Sequence, residues 1–192
     1  MTIYFRELLL DVEGDVYKPA EDSFLLAENL KVMEGDEVLD VGTGCGIQAL
    51  VAARKARHVL GVDVNPKAVE VAAANAKLNK IRNVDFLVSD LFWAVEGRFD
   101  LIVFNFPYLP TSGSIVDQAL DGGDQGVEIL RRFIQEAPEH LKPLGRIQFV
   151  MSSLNNTKAV EAMLSTEFRF KYTAEKKLFF EKLFVVSAEL KH

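Results

Sequence analysis

Short apolar runs alternate with amphipathic or alanine-rich segments along most of the chain. Runs that are apolar throughout predict buried strands, and segments with apolar residues three or four positions apart predict helices. The predicted strands are 38–41, 58–62, 84–88, 99–105, 145–151, 168–174 and 183–188. The predicted helices are 47–55, 67–78, 127–140 and 157–164.

This alternation of strands and helices is typical of βαβ units and predicts an α/β fold with a doubly wound, mostly parallel, seven-stranded sheet. The last two strands are close together in the sequence, so we expect them to form an antiparallel hairpin. The chain shows no internal repeat or linker, which predicts a single domain over 1–192, with its core in 36–192. In such sheets ligands bind at the carboxyl ends of the strands.

Composition narrows the class of protein. The 192 residues carry 22 Lys and Arg against 28 Asp and Glu, a net charge of −6, which argues against a protein that grips nucleic acid mainly through its phosphates. No apolar run approaches the roughly 20 residues needed to cross a bilayer, and the N-terminus has no basic region of a signal peptide. We therefore expect a cytoplasmic protein. One cysteine and three scattered histidines predict no metal site.

Three successive strand ends carry residues suited to a nucleoside. The first strand runs into the glycine-rich turn Gly42-Thr43-Gly44-Cys45-Gly46, where the backbone can approach a ligand closely. Asp63 ends the second strand and can accept hydrogen bonds from ribose hydroxyls. Asp90 follows the third strand and can meet the exocyclic amine of an adenine. The turn has G-x-G-x-G spacing, in contrast to the G-x-G-x-x-G of dinucleotide binders.

The fourth strand ends in Asn105-Phe106-Pro107-Tyr108. Together with 38–46, this tetrapeptide resembles the class I S-adenosylmethionine-dependent methyltransferases that methylate amide or exocyclic amine nitrogens, with a Rossmann-like fold. Their fourth strand ends in Asn-Pro-Pro-Tyr or a close variant, and Phe106 departs from it by replacing a proline or a small aliphatic residue. The ring needs room, but the main-chain carbonyl is retained.

The tetrapeptide suits a poor nucleophile. An amide nitrogen has a delocalised lone pair, so a methyl acceptor of this kind must be held in one orientation. The side-chain oxygen of Asn105 and the main-chain oxygen of Phe106 can accept both N–H bonds of the acceptor amide, which favours catalysis by positioning and electrostatics. Tyr108 would add an aromatic wall and a cation–π contact to the sulfonium.

Two further segments are similar to the HemK-like glutamine methyltransferases, in the eukaryotic and archaeal branch without an N-terminal helical domain. Residues 15–26 resemble that family's Val-Tyr-Glu-Pro-Ala-Glu-Asp-Thr/Ser-Phe-Leu-Leu segment, and residues 120–126 resemble its Asp-Gly-Gly-x-x-Gly segment. The resemblance implies methyl transfer from S-adenosylmethionine to the glutamine amide of a protein, in the Gly-Gly-Gln loop of a class I release factor. It also implies a small zinc-binding activator protein as a partner, and the apolar segments 179–180 and 183–184 are candidate contacts.

The resemblance assigns roles to individual residues. The catalytic residues would be Asn105, Phe106, Pro107 and Tyr108. The cofactor contacts would be Ser23, Asp40, Gly42, Gly44, Asp63, Asp90, Leu91 and Asn105, with 1–35 as an N-terminal segment that contributes to the cofactor site. Ser23 would touch the methionine end of the cofactor, although it can also cap a helix that begins at Phe24. Residues 109–126 are a candidate wall or lid, and Gly122 and Gly123 can simply break the chain before the next helix.

Two other functions compete with this interpretation. One is an adenine-N6 or guanine-N2 methyltransferase acting on DNA or RNA, because its target is also a conjugated NH2 group. The charge and length of the chain argue against it. The other is a non-catalytic methyltransferase-like binding subunit, with Phe106 as a sign of decay. Cys45 is interpreted as loop filler, since no histidine is placed to activate it.

Overall fold

The computed structural model describes residues 1–107 and 124–191, and residues 124–127 through their backbone only. Within these ranges the strands are β1 Thr2–Phe5, β2 Leu8–Asp11, β3 Glu37–Val41, β4 His58–Asp63, β5 Val84–Val88, β6 Phe99–Phe104, β7 Leu141–Ser152, β8 Phe168–Lys177 and β9 Lys182–Leu190. The helices are α1 Glu21–Glu28, α2 Ile47–Ala52, α3 Pro66–Leu78, α4 Asp124–Glu136 and α5 Thr157–Glu167, and a 3₁₀ turn, Ala137–His140, follows α4.

The predicted sheet is confirmed. In the described part of the chain, seven strands form one sheet in the order β5-β4-β3-β6-β7-β9-β8. The five strands from β5 to β7 are parallel, and β9 is antiparallel to both β7 and β8. In the central strands β3 and β6, side chains on both faces of the sheet are buried, because helices cover both faces of a parallel sheet.

The strand order reverses between β3 and β6. From β3 the chain builds outward through β4 to β5, then returns to the other side of β3 as β6. The loops at the carboxyl ends of these two strands therefore part and leave a crevice, as in other doubly wound sheets. The glycine turn follows β3, and Asn105 follows β6, so this crevice receives both motifs.

The N-terminal hairpin of β1 and β2 was not predicted. It packs against α3 through two asparagines, Asn75 and Asn79, whose amide groups bind the backbone of Asp11 and Leu9 at 2.7–3.0 Å. The predicted helix over 127–140 was also wrong at its end, because a 3₁₀ turn with Pro138 replaces its last four residues and β7 begins directly afterwards.

Helix α1 begins earlier than the sequence suggested. Its N-cap is Ala20, and no side chain caps it, so Ser23 lies within the helix and does not cap it. No helix in the described ranges is long and apolar enough to cross a membrane.

Candidate active site

A cavity of about 690 Å³ opens at the carboxyl ends of β3, β4, β5 and β6. Its volume falls within the range of ordinary cofactor and ligand pockets. It is built from the glycine turn, from the ends of the strands and from the segment that leads into α1. The predicted site residues among those that line it are Ser23, Gly42, Gly44, Asp63, Asp90, Leu91, Asn105, Phe106 and Pro107.

The glycine turn needs its glycines for space and for backbone conformation. Gly42 and Gly46 have φ values of 62° and 88°, in the left-handed region that side chains disfavour. A Cβ at Gly42 would lie 3.1 Å from the Phe104 ring, and one at Gly46 would lie 3.1 Å from the Ala72 Cβ. The turn can therefore pack between β6 and α3 while its backbone faces the cavity.

Two carboxylates hold the turn in place. The Asp63 side chain accepts from the Gly44 N–H at 2.9 Å and faces the cavity. The Asp40 Oδ2 accepts from the Thr43 hydroxyl at 2.7 Å and from the Ala49 N–H at 3.0 Å. Asp40 lies behind the turn and is not among the residues that line the cavity.

Burial changes the titration of both carboxylates. Desolvation raises the pKa of Asp40 to about 7, because hydrogen bonds from Thr43 and Ala49 only partly compensate for it. Desolvation also raises the pKa of Asp63. The second oxygen of Asp40, Oδ1, is buried and has no hydrogen-bond partner among the described residues.

The third strand end shapes the far side of the cavity. The side chain of Asp90 is 59% exposed and receives hydrogen bonds of 3.3 Å from Arg132 of α4. Leu91 is buried and has a φ of 47°. Asp90 thus presents an oriented acceptor beside an apolar side chain, a combination that suits an adenine ring with its exocyclic amine.

Asn105 lies where the cavity meets α1. Its Nδ2 donates to Asp22 Oδ2 at 2.9 Å and to Ser23 Oγ at 3.1 Å. An ionised carboxylate only accepts hydrogen bonds, so the amide group has its nitrogen towards α1 and its oxygen turned away. That oxygen, Oδ1, is buried and has no partner among the described residues.

Asp22 is the functional residue that the sequence analysis missed. It is 3% exposed, it lines the cavity, and its other oxygen accepts from the Tyr17 hydroxyl at 2.9 Å. The sequence contained a signal for it, because Asp22 lies on the same face of α1 as Leu25 and Leu26, which are buried. A carboxylate on the apolar side of a helix is costly unless it receives hydrogen bonds.

The rest of the tetrapeptide is only partly described. Phe106 is buried, and its ring centroid lies 5.8 Å from that of Phe104 and 6.2 Å from that of Phe149. The core therefore provides the room that this large ring needs. Pro107 lines the cavity. Tyr108, Gly122, Gly123 and the predicted lid over 109–126, apart from the backbone at the start of α4, lie outside the described residues.

Cys45 does not resemble a nucleophile. It is buried, and desolvation raises the pKa of its thiol to about 12, so the reactive thiolate is disfavoured at neutral pH.

Comparison with known proteins agrees with this arrangement. A family model described as the methyltransferase small domain matches residues 18–181. A protein of Methanocaldococcus jannaschii, named as a candidate protein N5-glutamine methyltransferase, is 43% identical, with 98% of each chain covered. Methyltransferase HEMK2 of Mus musculus is 34% identical over 79% of this chain and 78% of its own.

The fold is also found among solved structures. The complex of Mtq2 and Trm112 from E. cuniculi, described as responsible for methylation of the eRF1 translation termination factor, superposes with a TM-score of 0.72 at 24% identity, over 93% of this chain and 100% of the matched one.

The chain therefore belongs to the methyltransferase small domain family, within the HemK-like group of protein N5-glutamine methyltransferases. It is an S-adenosylmethionine-dependent methyltransferase with a class I Rossmann-like fold. The residues of the cavity fit this cofactor, since a glycine turn with an accessible backbone, an acidic strand end and an acceptor beside an apolar residue lie around one space of suitable volume.

Proposed function

We propose that this enzyme methylates the side-chain amide of a glutamine in the Gly-Gly-Gln loop of a class I release factor. The relatives support the chemistry, because they are named for glutamine methylation. The E. cuniculi complex supports the class of substrate, because it is described as acting on a translation termination factor.

The observation that carries the proposal is the orientation of Asn105. Its nitrogen is held by Asp22 and Ser23, so its oxygen is a buried acceptor with no partner among the described residues. A buried acceptor without a donor costs about 1–3 kcal/mol, and an N–H donor from a substrate relieves that cost. A primary amide supplies such a donor and has the NH2 group that is to be methylated.

We further propose that the predicted residues hold the cofactor. S-adenosylmethionine supplies an electrophilic methyl group when it is bound. Asp63 would accept from the ribose hydroxyls, Asp90 and Leu91 would hold the adenine, and Ser23 would meet the methionine end. Gly42 and Gly44 would contact the cofactor through the glycine turn, and Asp40 is proposed as a further contact beside them. The N-terminal segment 1–35 would contribute to this site through its part from Asp15 to Ser23, which lines the cavity, and not through the hairpin of β1 and β2.

The catalytic assignment is tested with Asn105→Ala. We expect this variant to lose methylation while its affinity for S-adenosylmethionine, measured by calorimetry, changes by no more than several-fold. The acceptors are a purified class I release factor, DNA and RNA, each with labelled cofactor. Turnover by the variant would contradict the role of Asn105, and labelling of nucleic acid in place of the release factor would contradict the substrate.

We also propose a small zinc-binding partner protein. Two observations support this partner. One structural neighbour, Mtq2, forms a complex with Trm112, and this chain has an exposed apolar edge. At the β5 edge of the sheet, Leu87, Val88 and Trp93 are 39%, 42% and 86% exposed. Of the contacts suggested by the sequence, Phe179 and Phe180 are exposed, whereas Leu183 is buried by the sheet. Aggregation of the chain alone, with rescue by co-expression, would support a partner, and a well-behaved and fully active monomer would count against it.

A further inference from the structure

The turn between β8 and β9 presents two highly exposed aromatic side chains. Phe179 and Phe180 are 91% and 86% exposed, and their rings contact each other in a T-shaped arrangement with centroids 4.6 Å apart. The turn is closed by a hydrogen bond of 2.8 Å from the Leu178 N–H to the Glu181 carbonyl. We call these two residues the aromatic pair. Exposed apolar patches of this kind mark interaction sites more often than chance surface positions do.

The aromatic pair lies on the same edge of the sheet as Asn105. Strand β9 is antiparallel to β7, so its first residue, Lys182, lies beside the end of β7, where the Ser153 N–H donates to the Lys182 carbonyl at 2.8 Å. Two strand spacings of about 4.8 Å separate β6 from β9. Along the strand direction, Phe104 is level with Phe149 and Val186, so Phe180 lies about five residues, roughly 16 Å, beyond the level of Asn105. The two offsets together place the aromatic pair roughly 15–20 Å from Asn105.

Side-chain contacts tie the turn to the active site. Lys176, at the end of β8, forms an ion pair with Glu21, and Glu21 precedes the Asp22 that holds Asn105. Glu181 accepts a hydrogen bond from the Ser152 hydroxyl at the end of β7. A molecule that binds the aromatic pair is thereby held in a defined position relative to Asn105.

The base of the turn carries positive charge. Lys177 and Lys182 face each other across the hairpin, and both are exposed. No ion pair involves either of them within the described ranges of the chain. On a protein with a net charge of −6, these two lysines provide a local attraction for acidic side chains.

We propose that the aromatic pair, together with Lys177 and Lys182, is the docking surface for the methyl-acceptor protein, which meets it with an apolar depression flanked by acidic side chains. This proposal rests on the proposed function. The acceptor is the macromolecule that must reach this edge in every catalytic cycle, because its glutamine enters beside Asn105. About five or six extended residues on one side of that glutamine, at about 3.3 Å each, span the distance to the aromatic pair.

The test compares two acceptors in steady-state kinetics. One is the intact release factor, and the other is a five-residue peptide centred on its glutamine, which is too short to reach the aromatic pair. For the double variant Phe179→Ser with Phe180→Ser, we expect KM for the release factor to rise at least tenfold, since exposed aromatic anchors commonly dominate such interfaces. We expect kcat to stay within twofold, and the kinetics with the peptide to stay unchanged.

Two further variants complete the design. Lys177→Glu with Lys182→Glu should raise KM for the release factor several-fold, most strongly at low ionic strength. Tyr4→Ser is the matched control, because Tyr4 is an aromatic residue of similar exposure, 79%, on the N-terminal hairpin. It should leave KM unchanged.

The outcomes separate the two proposals. A wild-type protein that methylates neither the release factor nor the peptide would contradict the proposed function, and this docking surface with it. An active wild-type protein whose KM for the release factor is the same in the double variant would overturn the docking surface alone. If a second copy of this chain binds the aromatic pair, the double variant would change its oligomeric state. If the zinc-binding partner binds the aromatic pair, that partner would no longer co-purify with the double variant. Either result, with KM unchanged, would also overturn the assignment.

Discussion

Replacing Asp22 should slow methyl transfer by releasing the amide group of Asn105. In the structure a buried carboxylate oxygen of Asp22 accepts from Asn105 Nδ2 at 2.9 Å, and the hydroxyl of Ser23 is the second acceptor that fixes the amide, at 3.1 Å. A hydrogen bond to a charged group contributes about 1.5–3 kcal/mol. If that contribution orients Asn105 in the transition state, its loss in Asp22→Ala lowers kcat by roughly ten- to a hundredfold.

A set of variants separates this positioning role from a loss of stability. Asp22→Asn keeps one acceptor oxygen and should lose less activity than Asp22→Ala. Tyr17→Phe removes the donor to the other oxygen of Asp22 but keeps the carboxylate, so its kcat should fall least. The assay measures kcat, KM for the release factor and the thermal midpoint of each variant. A folded Asp22→Ala with kcat within twofold of wild type would refute the reasoning.

Three further predictions concern stability. The raised pKa of Asp40 means that the folded state keeps a proton that the unfolded state loses above about pH 4. The free energy of unfolding should therefore fall by up to about 4 kcal/mol as the pH rises from 4 to about 7. In urea titrations at several pH values, Asp40→Asn should show a weaker dependence of this free energy on pH. Phe106→Ala should lower the free energy of unfolding by about 3–5 kcal/mol in the same titrations, because the ring packs between Phe104 and Phe149. Gly46→Ala should cost about 1–3 kcal/mol and weaken cofactor binding in calorimetry, because of its φ of 88° and the nearby Ala72.

The sheet and its functional edge could be predicted because local patterns specify them. Strands such as β3 and β6 are apolar throughout, and the glycine turn and Asn105 follow them directly, so topology alone brings these motifs together. The contacts that the prediction missed depend on residues far apart in sequence. Asp22 and Asn105 are 83 positions apart, and the N-terminal hairpin is held by Asn75, 64 positions beyond Asp11.

Asp40 shows the limit of a motif. The resemblance assigns it to the cofactor, and that contact stays a prediction; in the structure its carboxylate lies behind the glycine turn and accepts hydrogen bonds from Thr43 and Ala49. A motif indicates that an acidic residue is needed next to the turn. It does not show whether that residue faces the ligand or supports the backbone that does.

The most direct test of the central claim is mass spectrometry of a class I release factor after incubation with this enzyme and S-adenosylmethionine. The account predicts one added methyl group on the glutamine of the Gly-Gly-Gln loop, and none when Asn105→Ala replaces the wild-type enzyme. An unmodified glutamine after incubation with a folded, cofactor-binding wild-type enzyme, both alone and with the small partner protein proposed above, would contradict the account.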